Sequence, residues 1–224
     1  MIQPDLEQIA LQLESQNSRD RMLALVSLRH VSSHDALPLI KKVLNDEVLQ
    51  VRSMAVFALG VKPTEESYAM LVKCLQTDPD YGIRADAAGA LGYLEDKRAF
   101  EPLVRAFYEE TQWLVRFSAA VALGNIGDIR ARKVLIEALY SQEPVMEQAA
   151  IAALGEIGAM ESLDDILSFI DSEDWLVRQR LAEALSHLPC EKSASALQYL
   201  VKDDHSQVRE AALFAIDRPM NYEL

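Results

Sequence analysis

Cysteine is scarce in this chain of 224 residues: only Cys74 and Cys190 occur, far apart in sequence. Two thiols so spaced form neither a zinc box nor a disulfide framework, and a reducing compartment is expected. Histidine is equally sparse. His30, His34, His187 and His205 supply no H-E-x-x-H zinc motif. No histidine is followed by glutamate, so paired His-Glu iron signatures are missing too. Glycine appears as isolated residues and never as a run able to cradle phosphate. Basic residues are outnumbered, 22 against 35 acidic ones, and the formal charge of −13 repels phosphate backbones and anionic lipid surfaces. No nucleic-acid partner is expected. Long apolar runs are lacking, and the N-terminal MIQPDLEQIALQLESQN has no basic region ahead of an apolar stretch. These features predict a cytoplasmic protein without membrane insertion.

What the chain does contain is a repeat. VRSMAVFALG from Val51, IRADAAGALG from Ile83, VRFSAAVALG from Val115, MEQAAIAALG from Met146, VRQRLAEALS from Val177 and VREAALFAID from Val208 superimpose. Their second positions are Arg52, Arg84, Arg116, Glu147, Arg178 and Arg209, and a degenerate first copy places Arg21 in DRMLALVSLR. The successive intervals are 31, 32, 32, 31, 31 and 31 residues. Six to seven units therefore fill one domain, 1–224, with no linker.

Each unit reads as two helices. In the first, Val51, Ala55, Ala58 and Leu59, or Val115, Ala119, Ala122 and Leu123, fall on one stripe. Gly60, Gly92, Gly124 and Gly155 are expected to stop these helices in the left-handed conformation, and Asp78 before Pro79 to cap one of them. In the second helix a small residue precedes two large apolar ones: Ser67, Leu71 and Leu75; Ala99, Leu103 and Phe107; Ala131, Leu135 and Leu139. A helix pair with one apolar stripe per helix cannot bury both alone, so neighbours must stack and share a core. The expectation is an all-α, right-handed α-solenoid. Leu6, Ile9, Ala10 and Leu13 predict an N-terminal cap helix within 1–17, and 218–224 reads as a tail.

V-R-x-x-A-x-x-A-L-G followed by G-D/A-x-x-A and L-x-x-x-L, best seen in GNIGDIRARKVLIEAL from Gly124, resembles the short HEAT-like repeat of the phycobilisome lyase class. The resemblance implies first helices on the convex side, second helices on the concave side, and repeated arginines tying neighbours together. Size, acidity and layout are similar to the cyanobacterial phycobilisome-degradation members of that class. They imply a protein-binding adaptor acting on phycobiliprotein subunits, in phycobilisome degradation or bilin detachment, with transient bilin contact and no resident cofactor. A generic interaction scaffold and a bilin lyase subunit are the alternatives.

Candidate site residues come from register. Arg52, Arg84, Arg116, Arg178 and Arg209 form a ladder expected to bridge to acids such as Asp46, Asp78 and Asp203, and Glu147 breaks it. Twenty-one residues after each ladder position stand Lys42, Lys73, Arg105, Glu137, Ser168 and Tyr199. As outward residues of the second helices they are either a solvated face or a groove whose three cations hold an acidic partner or bilin propionates. Tyr81, Trp113 and Trp175, each three before its ladder position, either seal the seam between units or anchor a partner, with Phe117 and Tyr140 extending the patch. Cys74 is placed on a second helix and Cys190 in a turn, either as small core residues or as thiols for a transient thioether. No catalytic constellation and no metal site is visible.

Overall fold

The computed structural model describes residues 5–141 and 143–217. Those residues are all-α, with no strand among them, and the helices fall in the expected pairs. The first helices are α2 (Ser18–Ser27), α4 (Leu49–Gly60), α6 (Tyr81–Tyr93), α8 (Trp113–Asn125), α10 (Pro144–Glu156), α12 (Trp175–Leu185) and α14 (Ser206–Asp217). The second helices are α3 (Ser33–Val43), α5 (Glu65–Thr77), α7 (Phe100–Glu109), α9 (Arg132–Leu139), α11 (Leu163–Leu167) and α13 (Glu191–Leu200). Ahead of them lies α1 (Leu6–Gln12), started by the Asp5 carboxylate, which accepts from the Glu7 and Gln8 N–H groups. This helix packs on α2; Ile9, and Leu13 at its C-terminal end, are buried, while Leu6 stays exposed. The expected tail at 218–224 and residues 1–4 of the cap lie outside the described residues.

The chain divides into two compact units, Met1–Ala122 and Leu123–Leu224, with the boundary inside α8 rather than at a linker. Within each unit the predicted stripes are the core. Val51, Ala55 and Leu59 are fully buried, as are Leu71, Leu103, Leu135 and Leu139. Among the described residues the small position of the second helix is buried in each of six units, at Ala36, Ser67, Ala99, Ala131, Ser162 and Ser193. Where it is serine, the hydroxyl is satisfied: Ser67 donates to the Lys62 carbonyl at 2.8 Å, and Arg132 Nε donates to Ser162 Oγ at 2.8 Å.

The glycines do something other than expected. Gly60, Gly124 and Gly155 lie inside the last turns of their helices, where a Cβ would sit 2.9 Å from Ala90 Cβ, 2.7 Å from Ala153 Cβ and 2.7 Å from Ala184 Cα. They let consecutive first helices touch backbone to backbone. Gly92 is likewise buried within α6. The left-handed residues come three positions later, at Glu95 (φ 52°), Gly127 (φ 61°) and Gly158 (φ 66°). The Asp78-Pro79 reading is corrected as well. Asp80 caps α6, accepting from Gly82 and Ile83, while Asp78 ends α5.

Candidate functional site

The ladder arginines make two kinds of bond. The guanidinium of Arg21, Arg52, Arg84, Arg178 and Arg209 donates to the carbonyl six residues earlier: Ser15, Asp46, Asp78, Ser172 and Asp203. These bonds tie each first helix to the end of the preceding second helix. The same groups face acids of the next turn: Asp46 for Arg21 at 2.7 Å, Glu110 for Arg84 at 2.6 Å, Asp203 for Arg178 at 2.7 Å, and Asp78 for Arg52 at a looser 3.9 Å. Each paired aspartate also accepts from a backbone N–H two residues on, at Val48, Asp80 and His205. Hydrogen bonding to Arg178 holds the Asp203 carboxyl below the usual range against the opposing effect of burial. Arg116 lies over the Phe107 ring at 5.5 Å. Glu147 stands half-buried where an arginine would be, and burial together with Asp174 pushes its carboxyl up.

Two of the second-helix cations have acid partners. Lys42 donates to Glu14 at 2.5 Å, and Arg105 faces Glu109 at 3.8 Å on its own helix. Lys73 is exposed on α5. In the second unit Glu137 and Ser168 are exposed, Ser168 donating to the Asp165 carbonyl, and the Tyr199 hydroxyl donates to Asp171 at 2.9 Å.

Of the aromatics, Tyr81 is 48 % exposed, Trp113 51 % and Trp175 38 %. Trp113 meets Phe117 edge-on at 6.4 Å, and Trp175 stacks on His205 at 4.0 Å. Tyr140 turns to Phe169 and donates to Asp165, so it belongs to a different contact from Phe117. Burial pushes the Cys74 thiol up. Cys190 is the N-cap of α13: burial opposes its ionisation, but donation from Ser193 and the nearby Lys192 outweigh this and draw the thiol down. His30 and His34, four apart in sequence, sit in different elements, a 3-10 turn and α3. Among the described residues no cluster of His, Cys, Asp and Glu could hold a metal, and no helix is long and apolar enough to cross a membrane.

One concavity of the first unit lies on its first helices. A groove of about 800 Å³ runs over α2, α4, α6 and α8, so the first helices line it. Lys42, Lys73 and Arg105 are not part of its lining; Arg105 instead lines a smaller concavity of about 440 Å³ on the second helices, with Leu75, Pro102 and Glu109. Gly60 lies against Ala90, so α4 and α6 approach closely beside the trough, which Ala90 itself lines. Its walls are Val26, Phe57, Val61 and Tyr93, with Phe57 and Tyr93 edge-to-face at 6.1 Å. Asp86 and Ser53 add the polar element, Ser53 Oγ donating to Asp86 at 2.6 Å, and burial pushes the Asp86 carboxyl up. Lys62 and Arg29 stand at one end, the Lys62 ammonium donating to the Arg29 and Val31 carbonyls. Sequence register offered a signal for this face: five after each ladder position come Val26, Phe57, Gly89 and Val121.

A family model described as HEAT repeats matches residues 4–91, 68–146 and 132–217. Among solved structures, a chain in the complex of CpcE and CpcF of phycocyanin lyase from Nostoc sp. PCC7120 is similar over 80% of this chain and 75% of that one, with 24% identity and a TM-score of 0.65. An engineered protein is similar over 94% of this chain and 67% of that one, with 21% identity and a TM-score of 0.54. Both likenesses concern the fold. A search of the curated proteins found no match.

Proposed function

The chain belongs to the HEAT-repeat family, and on that premise we propose that it is a protein-binding adaptor whose clients are phycobiliprotein subunits. The apolar groove on the first helices of the first unit carries the reading, because a trough of that size walled by exposed aromatic and aliphatic side chains is what a partner surface requires. The pigment connection is supported by the V-R-x-x-A-x-x-A-L-G and G-D/A-x-x-A signatures, which resemble the phycobilisome lyase class. Within that class the acidic, whole-chain layout resembles the phycobilisome-degradation protein NblB. The corresponding role is to grip phycobiliproteins during phycobilisome degradation and promote bilin release, with the bilin touched transiently and no cofactor retained. Cytoplasmic residence accords with this role.

Mixing the protein with phycocyanin tests it. Co-elution on a sizing column, with a change in the visible absorption of the pigment, is the expected result. No complex and an unchanged spectrum overturn the pigment reading and leave a scaffold for other proteins, which the generic apolar lining of the groove also accommodates.

A further inference from the structure

The groove of the first unit has a socket in its floor, and the socket is a glycine. At the register position where Val26 and Phe57 present large side chains, α6 carries Gly89, and a Cβ built there meets nothing within 4 Å. A glycine in mid-helix weakens the helix relative to alanine, and this one is not repaid by close packing of a neighbouring helix, as Gly60 is against Ala90. Its effect is to deepen the trough between Phe57, which is 54 % exposed, and Tyr93, 59 % exposed. One turn earlier on the same face stands Asp86, solvent-accessible, with Ser53 donating to one of its carboxylate oxygens.

We propose that this groove takes an amphipathic helix of a partner protein, which sets a large apolar side chain over Gly89 and a lysine or arginine against Asp86. The trough runs over four successive first helices, from Leu25 on α2 to Ser118 on α8, a run that suits an elongated occupant. Its walls come from successive helices of one unit, so the anchors it offers are spaced along a line, as a helix presents side chains at i, i+3, i+4 and i+7. Charge selects the occupant. The two cations of the lining stand past the helix C-termini, Arg29 after α2, donating to His30, and Lys62 after α4, donating to the Arg29 and Val31 carbonyls, whereas Asp86 lies in the first half of α6, where its carboxylate favours a partner cation. This proposal rests on the first-helix face being the partner face, but not on the partner being a phycobiliprotein.

The test uses the full chain and two fluorescein-labelled 18-residue amphipathic peptides with a leucine and phenylalanine face, one carrying a central lysine beside that face and the other glutamate. Fluorescence anisotropy is expected to show the lysine peptide binding at least tenfold more tightly. Gly89→Leu, which fills open space, is expected to weaken that binding tenfold or more with an unchanged helical circular dichroism spectrum. Asp86→Asn is expected to abolish the preference for lysine over glutamate while leaving apolar binding in place. Absence of lysine-peptide binding, or equal binding to the wild type and to folded Gly89→Leu, overturns the proposal. Should Gly89→Leu fail to fold, Gly89→Met is read in the same way. A phycocyanin complex that forms while both peptides fail leaves the adaptor reading standing and sinks this one.

Discussion

Asp203 holds Arg178 with its carboxylate, Oδ2 to Nε at 2.7 Å and Oδ1 to Nη2 at 2.9 Å, and the same residue offers its carbonyl to Arg209 at 2.7 Å. Asp46 does the same between Arg21 and Arg52. One aspartate thus links two consecutive ladder arginines, and a side-chain bond alternates with a main-chain bond along the file. At these positions the charged residue of the repeat therefore serves the joints between units.

Replacing Asp203 by alanine is expected to lower stability by about 2 kcal/mol at pH 7, in the range for hydrogen bonds between charged groups. Arg178 keeps the folded-state carboxyl of Asp203 below its ordinary value of 3.8. A depressed carboxyl contributes stability that is present above the unfolded pKa and fades as pH falls through the folded one. Thermal melts of wild type and Asp203→Ala should therefore differ at pH 7 and converge toward pH 2. A difference that stays constant over that interval contradicts the ion pair.

Glu147 shows the opposite sign. Its carboxyl is raised above 4.5 by burial and by Asp174, so ionisation disfavours the folded state, and that penalty is absent below the unfolded pKa and grows as pH rises through the folded one. Glu147→Gln should gain about 0.5–1 kcal/mol at pH 7, the usual yield of relieving such a site, and nothing at pH 3.5. Glu147→Arg, which restores the repeat's usual residue, should gain at least as much at pH 7. Denaturant midpoints at the two pH values check both.

The two kinds of helical glycine separate by substitution. In Gly124→Ala the new Cβ would lie 2.7 Å from Ala153 Cβ and 2.8 Å from its Cα, so the helices must part, at a cost of about 1–3 kcal/mol. In Gly89→Ala the Cβ enters open space, and the better helix former should add up to about 1 kcal/mol. Opposite shifts in melting temperature are expected from the same chemical change.

These glycines also mark where the sequence stops being legible. The period and the buried stripes can be read directly, because Val51, Leu59, Leu71 and Leu103 must hide from water whatever the neighbouring helix does. The purpose of a glycine near a helix end cannot. A left-handed stop and a close approach both call for a missing side chain, and only the backbone distinguishes Gly124, packed on Ala153, from Gly127 at φ 61°. Register alone does not single out the first-helix groove for a similar reason: each helix has an outward side of mixed character. The row Val26, Phe57, Gly89, Val121 carries the needed signal, but a glycine among large apolar residues reads as a gap in a stripe until the space above it is seen.

The two faces of the first unit make competing claims that one binding series resolves. Lys73 and Arg105 lie on second helices, and Arg105 already faces Glu109, so reversing both charges leaves the trough untouched. The double variant Lys73→Glu with Arg105→Glu is expected to bind phycocyanin within about twofold of wild type, since exposed charges away from a contact contribute little. Gly89→Leu is expected to bind at least tenfold more weakly, because an anchor that loses its socket loses the centre of the interface. Sedimentation velocity with fixed phycocyanin and increasing adaptor measures both, and helical content by circular dichroism separates lost binding from lost fold. The reverse ranking, with the charge variant crippled and Gly89→Leu unaffected, moves the partner to the second helices, where Lys42, Lys73 and Arg105 stand in register.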